Sequence, residues 1–358
     1  MAKRAEHAEA AAATDEWPLA AATTPMEAHI ADELPDGPDW QFEPKWDGFR
    51  CLAFRHGGEV ELRAKSGKPL GRYFPEMVEA LRTIEKGDFV LDGELVIPAG
   101  ATLSFSALQA RLHPAESRIR RLAGETPALF ILFDCLAASG HVLTGEPLSS
   151  RRAALEAFLR NSGGSDRLRL SPYTTDRGEA LKWLSRAGGA IDGVVAKPRA
   201  GIYEPGERRM IKVKQLRTAD CVVGGFRYAQ NAKHVGSLLL GLYNDRSELD
   251  HVGFTSSIPK AERPALTRKL EALIAPPGFT GNAPGGPSRW STERSAEWQP
   301  LRPELVVEVC YDHVTADRFR HGTRLLRWRP DKAPAQCTFE QILRPAGPAK
   351  LIAAIVPK

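Results

Sequence analysis

Cysteine is scarce in this chain of 358 residues, and long apolar runs are missing. The five cysteines are widely separated, and none forms a Cys-x-x-Cys pair: Cys51, Cys135, Cys221, Cys310 and Cys337. Such spacing argues against a structural zinc site and against a disulfide framework, and it favours a reducing cytoplasm. The nine histidines show no ligand-like pairing either.

Signals for membrane insertion and secretion are also missing from the sequence. No run approaches the ~18 apolar residues that a membrane-spanning helix needs. The N-terminus has no basic region followed by an apolar one, so no secretory signal is predicted. With 42% hydrophobic and 26% charged residues, the composition is that of a soluble globular protein with material for two domains.

Positive charge is present in slight excess. Its distribution along the chain is more informative about function than the net charge. The formal net charge is +5, and arginines and lysines concentrate in 208–217 and 318–329. Local basic clusters of this kind predict a polyanionic partner, either nucleic acid or nucleotide phosphates.

The composition of the chain and the pattern of its predicted elements change twice along the sequence. Residues 1–23 are rich in alanine and predict a mobile tail, with a short helix as the alternative. Short strands and helices then alternate over 24–217, whereas 218–358 read as short strands with one helix, typical of a Greek-key barrel such as an OB-fold. We therefore expect an α+β protein in which an antiparallel-sheet domain precedes a C-terminal β-barrel, with a hinge near 215–219.

Several elements can be predicted individually from their patterns. A hairpin is expected from strands at 49–55 and 59–63, separated by two glycines. The segment 128–133 predicts a buried strand that ends at Asp134. Helical spacing is found in five further segments, 75–84, 104–112, 151–159, 179–187 and 259–274.

The candidate nucleophile is Lys45, within the run EPKWDGFR at 43–50. Alone, a lysine followed by Asp-Gly is most often a surface turn. An amine attacks phosphorus only when it is deprotonated, and neighbouring cations and partial burial favour that form. Lys212 and Lys214 supply cations on one face of a strand, where they could also neutralise a phosphate. The alternative is an edge strand with protective lysines.

Two acid-glycine pairs complete the set of candidate residues. They lie in LDGELV at 91–96 and in DGVVAK at 192–197. Carboxylates suit both Mg²⁺ and ribose hydroxyls, although the first pair could also form a simple hairpin turn. Because these pairs occur in sequence with the two lysine motifs, we interpret the set as a nucleotide site rather than as scattered turns.

This set resembles the covalent nucleotidyltransferase superfamily of ATP-dependent DNA ligases, RNA ligases and mRNA capping enzymes. More closely, it is similar to the small bacterial ATP-dependent DNA ligases of the LigC type and to the ligase module of LigD. The resemblance runs from about residue 24 to the end of the chain. It implies a nucleotidyltransferase (adenylation) domain over 24–217, followed by an OB-fold domain over 218–358.

The resemblance also implies a role for each residue of the nucleotide site. Lys45 would carry AMP, Glu43 would meet the adenine edge, and Phe133 would stack on the base. Arg50 would lie near the ribose or the nick, and Glu94 would be the acid of motif III. Further nucleotide contacts are implied for the region of motif V, at Arg208, Lys212 and Lys214.

Motifs IV and VI are matched by DGVVAK and by RPDK at 329–332. The resemblance implies that Asp192 and Glu94 hold a metal ion, and that motif VI acts in the first step through Arg329, Asp331 and Lys332. Contacts to DNA or to the nick phosphate are implied for five residues, Arg50, Arg63, Lys65, Arg318 and Arg320.

The sequence departs from the family pattern at two positions. Aspartate replaces the usual motif IV glutamate at Asp192, and its shorter side chain implies that a metal is reached through water. Lys65 occupies the place of an arginine, within AKSG at 64–67 instead of Ser-Arg-x-Gly. Because lysine cannot make a bidentate phosphate contact, recognition of the 5′-phosphate would be weaker or shared with Arg63.

The function implied is that of an ATP-dependent DNA ligase, which seals 5′-phosphate/3′-hydroxyl nicks in duplex DNA through a lysyl-AMP intermediate. The expected cofactors are ATP and Mg²⁺, with Mn²⁺ as a substitute. We expect a monomer that acts in DNA repair and recombination, in the bacterial cytoplasm and in association with the nucleoid.

Three other functions are alternatives to an ATP-dependent DNA ligase. An NAD-dependent ligase is disfavoured because only 44 residues precede Lys45 and no cysteine cluster exists. An RNA ligase or capping-like enzyme stays open, although the motif VI match and the barrel-like C-terminal segment favour DNA. A non-catalytic nucleic-acid-binding module is the alternative from another class, and it leaves the coexistence of the lysines and acids unexplained.

Overall fold

A computed structural model describes residues 19, 23–84, 87–100, 102–160, 165–187, 190–285, 297–315, 317–343 and 353. The predicted tail, 1–23, lies outside the described residues except at positions 19 and 23. The described residues form two compact units. The first unit draws on Met1–Ala180 and Val195–Lys212, and the second on Leu181–Val194 and Val213–Pro348.

The first part of the chain builds a six-stranded sheet, a four-stranded sheet, a two-stranded sheet and several helices. In chain order, its strands are β1 Ala28–Ala31, β2 Trp40–Trp46, β3 Phe49–His56, β4 Glu59–Ala64, β5 Phe89–Val96, β6 Pro98–Ala99, β7 Thr102–Leu103, β8 Leu129–Ala138, β9 His141–Val142, β10 Leu168–Leu170, β11 Ile191–Pro198 and β12 Met210–Val213. Its helices are α1 Pro75–Arg82, α2 Phe105–Arg111, α3 Glu116–Glu125, α4 Leu148–Arg160 and α5 Arg177–Ser185.

The larger sheet has the strand order β10-β8-β5-β3-β4, with β9 on β8. Its pairings are antiparallel except for β10 with β8. Helix α4 packs on β8 and helix α1 on β4, over a core that includes Phe74, Phe89 and Phe130. A smaller sheet, in the order β1-β12-β11-β2, carries the strand that contains Lys45.

One alternative for this region is excluded: the Asp92-Gly93-Glu94 run is not a turn, because β5 continues through it and pairs with β3 and β8 on either side. One expectation was wrong. Strand β8 does not end at Asp134 but runs on to Ala138. A buried aspartate is tolerated inside the strand because Arg151 donates to both of its carboxylate oxygens, at 2.8 and 3.0 Å.

The helices follow local signals. Proline begins α1, and the Ser104 hydroxyl caps α2 by accepting from the Ala107 amide at 3.2 Å. Helices α4 and α5 confirm the segments predicted as 151–159 and 179–187, with shifted ends. Helix α3 was missed because its sequence, ESRIRRLAGE, buries only Ile119 and Ala123.

In its described residues, the second part of the chain consists of strands and one α-helix, as predicted. The strands are β13 Arg217–Tyr228, β14 Val235–Tyr243, β15 Leu249–Thr255, β16 Gln299–Pro300, β17 Val306–Tyr311, β18 Val314–Thr315, β19 Arg318–Phe319 and β20 Arg324–Trp328. The helix is α6 Arg263–Glu271, which is shorter than the predicted 259–274.

Strands β18 and β19 pair with each other. The others form a sheet in the order β15-β14-β13-β17-β20, with β16 on β13, and its pairings are antiparallel. Its buried face includes Val222, Leu240 and Val307. An isolated bridge joins Thr255 to Thr323, next to the two outer strands, yet the strand pairings of the described residues do not close the sheet into a barrel.

The α+β class with antiparallel sheets is confirmed by this architecture. The domain limits and the hinge at 215–219 stay predictions, although β13 already begins at Arg217. None of the helices in the described ranges has the length and apolar character that crossing a lipid bilayer requires.

Candidate active site

A cavity of about 240 Å³ in the first unit brings together most of the residues predicted for the nucleotide. Its lining includes Glu43, Lys45, Arg50, Lys65, Glu94, Phe133 and Lys212. Lys45 is half-buried. The predicted nucleophile therefore faces a confined space that it shares with cations and an acid.

Strand β2 and the turn after it set the position of Lys45. The Trp46 indole next to it donates to the Ser171 hydroxyl at 3.0 Å. The backbone amide of Gly48 donates to Glu94 Oε1 at 3.2 Å. A Cβ atom at Gly48 would overlap the Leu95 carbonyl oxygen, so glycine is what lets this turn lie against β5.

Glu94 is the acid that faces the cavity from β5. Burial raises its pKa to about 7, an effect that the positive charges of Lys45 and Arg50 partly oppose. A carboxyl group poised near neutrality beside a lysine and an arginine is typical of catalytic sites.

Arg50 is fixed by partners that were not predicted. Its Nε and Nη2 atoms donate to the two oxygens of the buried Asp92, each at 2.6 Å, and the Tyr203 hydroxyl donates to the same carboxylate at 2.7 Å. The guanidinium carbon lies 4.5 Å from the centre of the Phe133 ring. The arginine is therefore held rigidly against the predicted base-stacking residue.

Glu43 is buried and has two polar partners. Gln41 donates to its Oε1 atom at 2.8 Å, and the Lys197 ammonium donates to its Oε2 atom at 2.9 Å. The same ammonium lies 4.5 Å from the centre of the Phe133 ring. Neither Lys197 nor Gln41 is among the site residues that the sequence predicts.

A group of cations surrounds one acid, Glu27, which also lines the cavity. The Lys65 ammonium lies 2.9 Å and Arg208 lies 3.7 Å from its Oε2 atom. The hydrogen bond from Lys65 lowers the pKa of Glu27; burial opposes this, and the charges of Lys65, Arg208 and Lys212 add to it. Glu27 carried no signal in the sequence.

Arg63 does not join this group. Its Nη2 atom pairs with Glu61 of the same strand at 2.8 Å, and it is not among the described residues that line the cavity.

Asp192 and Lys214 lie in the second unit and are not among the described residues lining the cavity. They pair with each other at 3.0 Å, and Lys214 also pairs with Asp312 at 2.8 Å. Burial would raise the pKa of Asp312, but hydrogen bonds from Lys214 and His321 outweigh it and lower the value to about 2. A Cβ at Gly193 would overlap the Val213 carbonyl, which accounts for that glycine.

The motif VI residues form an ion-pair cluster within the second unit. Arg329 pairs with Asp331 at 2.8 Å and with Asp220 at 2.7 Å, and Lys332 lies 3.6 Å from Asp220. The hydrogen bond from Arg329 lowers the pKa of Asp331 to about 2. Asp220, on β13, was not predicted.

The two other predicted DNA contacts lie further along the second unit. Arg318 pairs with the Nδ1 atom of His251 at 2.9 Å, and the Arg320 amide donates to the His313 carbonyl at 2.9 Å. Burial, together with the charges of Arg318 and Arg227, lowers the pKa of His251 to about 3.

Comparison with known proteins identifies the family. The profile described as "ATP dependent DNA ligase domain" matches residues 18–214, and that described as "ATP dependent DNA ligase C terminal region" matches residues 231–332. The chain belongs to the ATP-dependent DNA ligase family.

Individual relatives agree with this ligase assignment. DNA ligase C2 of Mycolicibacterium smegmatis is 45% identical over 344 residues, which cover 92% of this chain and 96% of the relative. DNA ligase C of Mycobacterium tuberculosis is 44% identical with the same coverage. A solved structure titled "DNA binding with a minimal scaffold: Structure-function analysis of Lig E DNA ligases" has 18% identity and a TM-score of 0.55, and it covers 85% of this chain and 99% of that one.

The last comparison shows the fold alone, and the family match confirms both the predicted resemblance and the predicted class of enzyme. The chain is an ATP-dependent DNA ligase. This result favours the DNA ligase over the RNA ligase, the capping-like enzyme and the non-catalytic module.

The ligase offers a metal ion only part of a binding site. Among the described residues, no group of three or more histidines, cysteines, aspartates and glutamates could hold a metal. Mg²⁺ at nucleotide sites is commonly bound by one or two carboxylates together with substrate phosphates. Glu94, an acid that faces the cavity, fits such a role, whereas Asp192 is engaged by Lys214.

Proposed function

We propose that this ligase seals 5′-phosphate/3′-hydroxyl nicks in duplex DNA, with Lys45 as the residue that carries AMP. The observation that supports this most directly is the cavity in which Lys45 meets Glu94, Arg50 and Lys212. A role in bacterial DNA repair and recombination, as a nucleoid-associated monomer, belongs to the same proposal and follows from the resemblance to the LigC and LigD types.

In the first step, the Lys45 Nζ atom attacks the α-phosphorus of ATP. A nitrogen–phosphorus bond forms, the bond to pyrophosphate breaks, and the amine loses its proton. Phe133 stacks on the adenine and Glu43 meets its edge, which fixes the α-phosphorus in front of the amine. Lys212 stabilises the charge that develops on the phosphate oxygens.

Motif VI is assigned to the same step. Arg329 and Lys332 bind the leaving pyrophosphate, and Asp331 orients the arginine that it already pairs with. Arg208 and Lys214 complete the contacts to the nucleotide.

The second and third steps take place on DNA. An oxygen of the 5′-phosphate attacks the AMP phosphorus and releases Lys45, and the 3′-hydroxyl then attacks the activated 5′-phosphate and releases AMP. The nick phosphates and the duplex backbone are bound by Arg50, Arg63, Lys65, Arg318 and Arg320. The ion pairs around Glu27 support the proposed phosphate-binding role of Lys65, because they place Lys65 and Arg208 beside the cavity.

The metal requirement rests on the carboxylates. Glu94, with the substrate phosphates, would hold Mg²⁺ or its substitute Mn²⁺, and Asp192 would contribute through water. When bound, the cation neutralises charge on the phosphates. Glu94 itself must release its proton to serve as a ligand, which its pKa of about 7 allows near neutral pH.

The test is self-adenylylation of Lys45→Ala. Incubation with α-³²P-labelled ATP should give a covalent label on the wild type that survives alkali and is released by acid, as a nitrogen–phosphorus bond requires, and no label on the variant, while binding to nicked DNA is retained. Lys260→Ala, which removes an exposed lysine, is the matched control and should label like the wild type. Equal labelling of Lys45→Ala and wild type would contradict the assignment.

The labelled protein also separates the two nucleic acids. Discharge of the bound AMP onto nicked DNA, but not onto nicked RNA, is the expected result. Preferential discharge onto RNA would show that the substrate is misassigned.

A further inference from the structure

A buried polar network lies at one side of the cavity, and none of its members is assigned to the phosphate steps proposed above. It consists of Gln41, Glu43 and Lys197, and we call it the Glu43 network. The side chains of Lys197 and Glu43 are 6% and 3% exposed, so their ion pair is largely withdrawn from water. A buried pair of this kind is costly to form unless its geometry is satisfied, which these two hydrogen bonds provide.

The fold creates the network from neighbouring strands. Gln41 and Glu43 are two residues apart on β2, so their side chains share one face. Strand β11 lies next to β2 in the sheet and carries Lys197, two residues after the cavity-lining Val195. Position 197 therefore belongs to the same face of β11 as a residue that lines the nucleotide cavity.

The network determines what Glu43 presents to a ligand. Each carboxylate oxygen already accepts one hydrogen bond and has a second lone pair available. Glu43 can thus accept a further hydrogen bond, but as a charged acceptor it repels a carbonyl oxygen. An exocyclic amino group, as at position 6 of adenine, satisfies this acceptor, whereas the 6-carbonyl of guanine does not.

Lys197 links this acceptor to the stacking surface. Its ammonium pairs with Glu43 and lies 4.5 Å from the centre of the Phe133 ring. One side chain therefore holds the base-edge acceptor and the base-stacking ring in register, through an ion pair and a cation–π contact.

We propose that Lys197, supported by Gln41, is a positioning residue that gives the cavity its preference for a nucleobase with a 6-amino group. It acts through Glu43 and not on the reacting phosphorus. The inference rests on the proposed adenylylation of Lys45 and adds to it the origin of base selectivity.

The test compares ATP with purine riboside triphosphate, which lacks the 6-amino group, and with GTP. The wild type should prefer ATP in kcat/KM for self-adenylylation by roughly 10- to 100-fold, the value of one hydrogen bond to a charged group. In Lys197→Met, which keeps length but removes charge, the preference over purine riboside triphosphate should fall below about 3-fold. The loss should come mainly from a higher KM for ATP. Lys197→Arg should restore the preference in large part.

A matched control is available in the second unit. Lys269 also places its ammonium over an aromatic ring, 5.2 Å from the centre of Trp328, and it is not among the described residues lining the cavity. Lys269→Met should keep the wild-type preference. If Lys197→Met fails to fold, Gln41→Ala takes its place in the test. Gln41→Ala should partially lower the preference for ATP over purine riboside triphosphate.

Three outcomes would overturn the inference. These are a wild type without preference for ATP over purine riboside triphosphate, a Lys197→Met variant that slows both nucleotides equally, and a Gln41→Ala variant with the wild-type ratio. A wild type that forms no labelled lysine at all would instead overturn the proposed function, so the two failures are distinguishable.

Discussion

Glu94 is a cavity residue whose ionisation is coupled to folding. Its pKa in the folded chain is about 7, against an ordinary value of 4.5, because burial disfavours the charged form. Between these values the unfolded chain has lost the proton while the folded chain still holds it. The free energy of unfolding contributed by this group therefore falls as the pH rises from about 4.5 to about 7.

Replacing the group should remove this dependence. In urea unfolding, Glu94→Gln should gain stability relative to the wild type as the pH is raised from about 4.5 to about 7, and the difference should level off above that range. Glu116→Gln, which removes an exposed carboxylate from α3, is the control. A difference between Glu94→Gln and wild type that stays constant with pH would contradict the assigned pKa.

Single residues could be predicted where they belong to a short motif. Lys45, Glu94 and Lys212 were identified from acid, glycine and lysine spacing, and the structure places all three at one cavity. Their supporting partners could not be found in this way. Tyr203 reaches Asp92 from 111 residues away, and local patterns carry no information on such a contact.

At the scale of elements, the turn after β2 limits how the nucleophile is presented. Gly48→Ala should destabilise the first unit by about 1–3 kcal/mol, because its Cβ would overlap backbone and side-chain atoms of β5. Self-adenylylation should fall with it, since the turn also supports Lys45 and Glu94. Thermal unfolding and single-turnover labelling measure the two effects.

Gly58→Ala is the matched control, because a Cβ there meets nothing within 4 Å. It should behave like the wild type in both measurements. A Gly48→Ala variant with unchanged stability and labelling would show that the close approach is unimportant.

Elements with regular patterns were predicted well. The β3–β4 hairpin follows its alternation and its two glycines, and α1 and α2 follow a proline and a serine cap. The length of β8 was misjudged, because an internal aspartate suggests the end of a strand. The sequence could not reveal that Arg50 and Arg151 would neutralise Asp92 and Asp134 inside the sheet.

At the scale of the whole molecule, the proposed mechanism assigns roles to residues of both units. We expect Lys332→Ala to impair self-adenylylation more than sealing of DNA that is already adenylylated, because its proposed partner, pyrophosphate, takes part only in the first step. Rates on the two substrates measure the difference, with Lys260→Ala as control. The reverse pattern would remove motif VI from the first step.

The division into two parts and the abundance of strands in the second part could be predicted from the pattern of elements along the chain. The order of these strands in the sheet could not. In the second sheet, β13 lies between β14 and β17, and β17 follows β13 by about eighty residues in the chain. Pairing between strands so far apart in the chain has no signature in the local hydrophobic pattern. The pattern of short strands suggested a Greek-key fold and the family resemblance implied the same one, but neither specified this strand order.

Asp220 has a consequence for how motif VI tells one anion from another. The carboxylate already neutralises Arg329 and lies close to Lys332. In the proposed first step, pyrophosphate must compete with this tethered carboxylate for Arg329 and Lys332, so it gains only the difference between two pairings. We expect this competition to favour strongly charged phosphates over weakly charged polyanions.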